Sequence, residues 1–267
     1  MRSKSHLKEA LQCAVSSAQI AGAMMRANLH STKKINEATQ HDIKLELDVR
    51  CQKAIEKQLR RAFPEIPILG EEGITGDPEA EYRWVVDPID GTVNFTYGIP
   101  HAAVSIALQG RAESSSKNQN YESLVGVVYD PFCNELWTAA RGGPARLNGK
   151  KIQASSRGKL KEAIVAVGFA KRLDTMDRMI PTLNSLIHSV RKIRIMGSAA
   201  LAMVYVASGR MDAYIEYGLR LWDIAAGGLI LECAGGDFCH TPVEGRYAYR
   251  ILVNNGHLRE KLQRFVT

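Results

Sequence analysis

Trp84-Val85-Val86-Asp87-Pro88-Ile89-Asp90-Gly91-Thr92 decides the reading of this chain. Tyr82–Val86 has the apolar run of a buried strand, yet it leads straight into an aspartate. Pro88 fixes its own φ and lacks an N–H, which predicts a sharp turn that returns Asp90 toward Asp87. Two carboxylates brought so close repel unless a cation lies between them. Such hard oxygen donors suit Mg²⁺ or Mn²⁺ rather than zinc. Gly91 lets the backbone approach a ligand, and its N–H together with that of Thr92 offers a small concavity for an anion such as phosphate. The competing reading is an ordinary proline- and Asp-Gly-bearing turn that needs no metal.

Further acidic residues tip the balance. Gly70-Glu71-Glu72-Gly73 places two carboxylates just after an apolar stretch, and Trp222-Asp223 opens the apolar segment Ile224–Ile230. Asp42 and Asp48 bracket the entry to a helix. Each has a plain alternative: Asp223 as a favourable residue at a helix start, Asp48 as an N-cap, Glu71 or Glu72 as a solvated loop charge. Their joint appearance in one chain points to a metal centre.

Around these residues the chain changes character. Leu7, Leu11, Ala14, Val15, Ala18, Ala21 and Met25 recur at helical spacing, and a second helix is expected from Asp48 to Ala62 with Cys51, Ile55, Leu59 and Ala62 inward. A short strand is expected through Ile68, with further strands at Ala103–Leu108, Leu124–Tyr129 and Glu135–Ala139, the last two joined as an antiparallel hairpin by Asp130–Asn134. Glu113–Asn120 reads as a polar loop. Beyond it strands at Ile164–Val167, Lys192–Ile195 and Met211–Glu216 alternate with helices at Asp174–Val190, Ser198–Ala207 and Trp222–Cys233. This predicts an α+β half over residues 1–155 carrying most of the acidic ligands, and an α/β half over residues 156–267 supplying Asp223, in one compact unit.

Composition bounds the function. With 267 residues, 45% hydrophobic and 24% charged, the chain can bury a large core. No uncharged apolar run approaches the roughly 20 residues of a membrane span. No apolar signal core follows the charged Met1–Lys8, and Cys13, Cys51, Cys133, Cys233 and Cys239 are scattered and odd in number, so reduced thiols and a cytoplasmic protein are expected. The net charge of +7 is dispersed apart from Lys33–Lys34 and Arg191–Arg194, which suits anionic metabolites or nucleic acid and equally a solvated basic surface. His101 and His257 have no partner motif, and neither a GxSxG elbow nor a P-loop is present.

The blocks GEEG, WVVDPIDGTVNF and WDIAAGG resemble the signature of the inositol monophosphatase family, within the lithium-sensitive, magnesium-dependent phosphatase superfamily that also holds the fructose-1,6-bisphosphatases. The resemblance spans about residues 6–258. It implies a mixed α/β fold, a layered αβαβα sandwich, and a homodimer. It also implies a Mg²⁺-dependent phosphomonoesterase in which metal-activated water attacks inositol monophosphate or a similar polyol or sugar phosphate. By motif, Glu71, Asp87 and the Ile89 carbonyl would hold one metal, and Asp87, Asp90 and Asp223 a second. Thr92, oriented by Asp48, would position the water, with Glu71 beside it. The Gly91 and Thr92 amides would receive phosphate, Ile89 and Asp223 would border the substrate, and Glu216 would bond hydroxyls of its alcohol portion.

Two departures stand out. Glu37 occupies the position of a family lysine, with Lys33 and Lys34 nearby at the wrong spacing, and Ile43–Leu47 replaces a small-residue stretch. Both bear on a third metal and on substrate choice. Fructose-1,6-bisphosphate, histidinol phosphate and 3′-phosphoadenosine 5′-phosphate are the alternative substrates, with Arg194 and Arg220 as candidate contacts for a second phosphate. The alternative from another class is a protein that binds RNA or a transcription complex, although no RNP-like aromatic pattern accompanies the basic charge.

Overall fold

A computed structural model describes residues 2–38, 43–112, 121–169 and 173–265. Asp42 and the Glu113–Asn120 segment lie outside the described residues, as does the side chain of Glu37.

Helix α1 (Lys4–Asn28) starts at Ser3, whose hydroxyl accepts from the His6 N–H. Its stripe of Leu7, Ala10, Ala14, Ala18, Ala21 and Met25 is buried at the expected 3–4-residue spacing. Lys33 folds back on its C-terminal end and donates from Nζ to the carbonyls of Asn28, Leu29 and Ser31 at 2.6–2.8 Å. That ammonium therefore caps a helix rather than standing in for the family lysine. After the antiparallel pair β1 (Ile35–Ala38) and β2 (Ile43–Leu45) comes α2 (Glu46–Ala62), which buries Cys51, Ile55 and Leu59. Ala62, expected inward, is exposed in the last turn.

The first sheet collects β3 (Ile68–Gly70), β4 (Gly73–Thr75) and β5 (Tyr82–Asp90). Beyond the short α3 (Thr92–Thr96) it adds β6 (Ala103–Arg111), β7 (Tyr121–Asp130), β8 (Glu135–Ala140), β9 (Arg146–Leu147) and β10 (Lys150–Lys151). Its eight strands lie in the order β10-β9-β8-β7-β6-β5-β3-β4, antiparallel except for β3 beside β5. The hairpin between β7 and β8 is the one expected across Asp130–Asn134.

The second half runs β11 (Ile164–Val167), α4 (Leu173–Ile187), β12 (Lys192–Arg194), α5 (Ala199–Ala207), β13 (Ala213–Arg220), α6 (Leu221–Cys233), β14 (Asp237–Pro242), β15 (Ala248–Asn254) and α7 (Arg259–Gln263). Its five strands lie in the order β12-β11-β13-β15-β14, parallel on the β12 side and antiparallel through β15 and β14. The strands and helices alternate as expected as far as α6, and the strands β12, β11 and β13 run parallel; the closing hairpin β14–β15 was not anticipated.

Helices α1 and α2 cover the outer face of the first sheet, α5 and α6 lie between the sheets, and α4 and α7 cover the second. That is the αβαβα sandwich. The middle layer explains why α5 and α6 are apolar all round: nearly every side chain has a sheet or a helix on its side. Gly227 and Gly228 let α6 nest there, since a Cβ on either would fall within 3 Å of Met203 or Phe238. Among the described residues no helix is long and apolar enough to cross a membrane. All five thiols are free.

Candidate metal centre

The strand that carries Asp87 does not stop where expected. β5 continues through Pro88 to Asp90, and the ladder with β6 shifts register between Asp87 and Asp90. A regular strand alternates its faces, so residues three apart would point to opposite sides. The bulge cancels that alternation and brings both carboxylates to one side. The predicted sharp turn is thus a strand irregularity: β6 pairs with Asp87 through Ser105 and again with Asp90 through Ala103, and this long-range pairing keeps the segment extended.

α6 supplies the third carboxylate. Asp223 is the third residue of that helix, and its Oδ2 accepts from the Arg220 N–H at 2.6 Å. The helix start is tied to the first sheet by the Ser105 hydroxyl, which donates to the Trp222 carbonyl at 3.1 Å. Ligand atoms of Asp87, Asp90 and Asp223 then lie within 4.8 Å of one another. Asp87 and Asp90 are buried and Asp223 half-buried. Burial, followed by the charges of Glu71, Asp90 and Asp223, pushes the Asp87 carboxyl well above its usual range. Glu71 reaches this group because β3 lies beside β5 and the Glu71 N–H donates to the Val86 carbonyl at 3.1 Å.

Asp90 is also gripped by the start of α5. The Ser198 hydroxyl donates to its Oδ2, the Ala200 N–H donates to Oδ2 at 2.9 Å, and the Ala199 N–H donates to Oδ1 at 3.2 Å. Helix amides favour the ionised carboxylate. Asn94 holds that helix start in place, donating to the carbonyls of His101 and Met196 at 2.9 and 2.8 Å. Gly91 has φ 96°, and a Cβ there would lie 3.0 Å from the His101 carbonyl oxygen and 3.1 Å from that of Gly197. Both conformation and space call for glycine.

The remaining expected residues take the following places. Ile89 is buried, and its carbonyl accepts from the Thr92 hydroxyl at 2.9 Å. Asp48 is buried and its Oδ2 accepts from the Leu45 N–H at 2.8 Å. α2 begins at Glu46 with Leu45 as its N-cap, so Asp48 is the third helical residue reaching back to the helix start and not the N-cap of the plain alternative. Glu216, expected as the last residue of its strand, lies in the middle of β13, is buried, and accepts from the Tyr214 hydroxyl. Arg220 directs its guanidinium to the Arg246 carbonyl. His101 is half-buried with its ring edge-on to Tyr205, and burial lowers its pKa. Ser198, Ala199, Ala200 and Tyr214 escaped the sequence reading. Ser198 was visible as a helix start, but nothing local says that this start faces Asp90, more than 100 residues earlier.

A layered mixed α/β protein with a buried cluster of hard oxygen donors at the junction of its two sheets is the class that fold and site define. The chain belongs to the inositol monophosphatase family, whose sequence profile matches residues 6–265, and this membership supports phosphatase activity. It is 39% identical over 236 residues to the Nus factor SuhB of Pseudomonas aeruginosa, covering 85% of this chain and 83% of that protein. To inositol monophosphatase 1 of Solanum lycopersicum it is 36% identical over 266 residues, covering 95% and 93%. The crystal structure of the extragenic suppressor protein suhB from Bartonella henselae superposes with a TM-score of 0.86 at 32% identity, covering 96% of this chain and 97% of that one.

Proposed function

We propose that this protein is a Mg²⁺-dependent phosphomonoesterase acting on inositol monophosphate or a similar small polyol or sugar phosphate. The observation that carries the reading is the convergence of Asp87, Asp90 and Asp223, with Glu71 acting on Asp87. Buried carboxylates raise one another's pKa unless a cation offsets them, and an all-oxygen donor set fits Mg²⁺ or Mn²⁺. Glu71, Asp87 and the Ile89 carbonyl are assigned to one ion, and Asp87, Asp90 and Asp223 to a second. When bound, such ions supply Lewis acidity and make water a nucleophile near neutral pH.

The side chains do the rest. The Gly91 and Thr92 amides receive the phosphate. Thr92, oriented by Asp48, positions the water, for which its hydroxyl must turn from the Ile89 carbonyl. Glu216 accepts from hydroxyls of the alcohol portion. Lithium is expected to inhibit by competing for the second cation position, since three carboxylates accept a small hard cation. A homodimer is supported by Val93, Tyr97, Ile99 and Ile195, exposed apolar residues on two segments that Asn94 ties together. The compartment proposed is the cytoplasm.

A phosphate-release screen over inositol monophosphate, fructose-1,6-bisphosphate, histidinol phosphate and 3′-phosphoadenosine 5′-phosphate, with Mg²⁺ and then with chelator, tests the proposal. Turnover that needs Mg²⁺ and favours the inositol ester is expected. Turnover undiminished by chelator, or absent on every ester, would overturn it. The likeness to proteins named Nus factor SuhB favours a second reading, a part in a transcription complex. Binding of RNA that persists in moderate salt would support it, and binding lost there would reduce it to unspecific charge.

A further inference from the structure

Glu216 sits in a slot that the chain has cleared for it. β11 runs parallel beside β13 in the register Val167↔Ile215, and the Gly168 N–H donates to the Ile215 carbonyl at 3.1 Å, so Gly168 stands next to Glu216. A Cβ on Gly168 would fall 1.6 Å from Glu216 Oε2 and 2.3 Å from its Cδ. The backbone there lies outside the left-handed region. Space, not conformation, calls for glycine.

Tyr214 holds the same carboxylate from another side. It lies two residues earlier on the strand and hence on the same face as Glu216. Tyr214 is 3% exposed and Glu216 7%, and the Tyr214 hydroxyl donates to Glu216 Oε2. Tyr214 packs in the core shared by α5, α6 and the first sheet, whereas its neighbours Ala213 and Ile215 pack toward α4 and α7, which puts the pair on the side of β13 that faces the middle layer carrying Asp223. A glutamate free to rotate must lose that freedom when a ligand binds, whereas one already held has lost it on folding.

We infer that Gly168 and Tyr214 set substrate selectivity by holding the Glu216 carboxylate in one orientation, Gly168 as clearance and Tyr214 as a positioning residue, for an alcohol portion that presents adjacent hydroxyls. The inference rests on the reading of Glu216 as the group that accepts from those hydroxyls. Two hydroxyls on neighbouring carbons match a carboxylate only when its plane is held, and a buried acceptor left unmatched penalises the wrong substrate.

The test compares Tyr214→Phe, Gly168→Ala and Glu216→Ala on inositol monophosphate and on glycerol 2-phosphate, with saturating Mg²⁺. Tyr214→Phe should lower kcat/KM for the inositol ester about tenfold, chiefly through KM, and for glycerol 2-phosphate less than about twofold. Gly168→Ala should act in the same direction with an unchanged melting temperature, because only the end of a flexible side chain must give way. Adding either change to Glu216→Ala should cost nothing further. A selective loss in Glu216→Ala alone would overturn the inference and leave the reading of Glu216 intact. Equal losses on both esters in Tyr214→Phe and Gly168→Ala would also overturn it, since they would tie the pair to the metal cluster. An unselective Glu216→Ala would remove the reading of Glu216 and the inference together.

Discussion

Two buried groups of carboxylate show opposite ways of keeping a charge out of water. Asp212 is 0% exposed, and the chain meets its needs in full: Oδ1 accepts from the Ser155 hydroxyl and from Arg157 Nε at 2.7 Å, while Oδ2 accepts from the Ile164 N–H at 2.8 Å. Asn255 braces these partners, donating from Nδ2 to Ser155 Oγ and to the Arg157 carbonyl, both at 2.9 Å. Asp212 is a pin between the start of β11, the approach to β13 and the end of β15. Asp87 has further carboxylates as its charged neighbours instead. Burial is common to both groups. What separates Asp212 from Asp87 is the sign of the charge the chain places beside each.

The largest effect is expected where the acidic cluster is broken. Asp90→Asn should cut turnover by roughly 10²–10³-fold, the loss of several kcal/mol of transition-state stabilisation. The metal-free protein should stay folded, relief of carboxylate repulsion offsetting the loss of an acceptor for the Ser198 hydroxyl or the Ala200 N–H. Phosphate release and thermal unfolding on one preparation measure both. Activity within about threefold of the parent would remove Asp90 from the metal centre.

Asp212→Ala should do the reverse. Removing one partner of a buried pair costs about 3–5 kcal/mol, and the half-exposed Arg157 brings the expectation down to about 2–3 kcal/mol. Urea denaturation should show that loss, with kcat of the folded fraction close to the parent's. A large drop in kcat at unchanged stability would erase the contrast between the two groups.

Mg²⁺ should sharpen it. At a concentration about 100 times its dissociation constant it should stabilise the parent by about 2.7 kcal/mol. Asp212→Ala should gain as much, whereas Asp87→Asn and Asp90→Asn should gain little. Equal stabilisation of all four proteins would mean that the cation binds elsewhere.

The smallest effect concerns pH. A carboxyl whose folded pKa is raised contributes stability that is complete below its unfolded value, ordinarily 3.8, and is lost as pH rises through the folded value. Metal-free protein should therefore lose stability on the alkaline side of that window. Asp87→Asn should flatten the slope, as should saturating Mg²⁺. A slope unchanged in Asp87→Asn would assign it to another group.

How far these features can be read in advance depends on how local they are. The stripe of α1 and the apolar middle of α6 follow from residues within a few turns of one another, so periodicity announces them. Glu71, Asp87, Asp90 and Asp223 stood out because carboxylates beside apolar runs conflict with burial. By contrast, the hairpin β14–β15 was passed over because its strands, Asp237–Pro242 and Ala248–Asn254, mix polar and apolar residues without a clean alternation. The bulge in β5 escaped because its cause lies in the partner strand β6.

The sequence by itself determined the kinds of element, the donor chemistry of the acidic cluster and the family, since each depends on residue type and short spacing. Only the tertiary structure decided which charges meet. The clasp of the α5 start on Asp90 links residues over 100 apart, and the slot around Glu216 joins two strands whose adjacency comes from the crossover through α4 and α5. The difference between Asp212 and Asp87 belongs here too. Both are aspartates beside an apolar strand, and only the folded chain sets Arg157 against one and Glu71, Asp90 and Asp223 against the other, because the cost of a buried charge is settled by its neighbours in space.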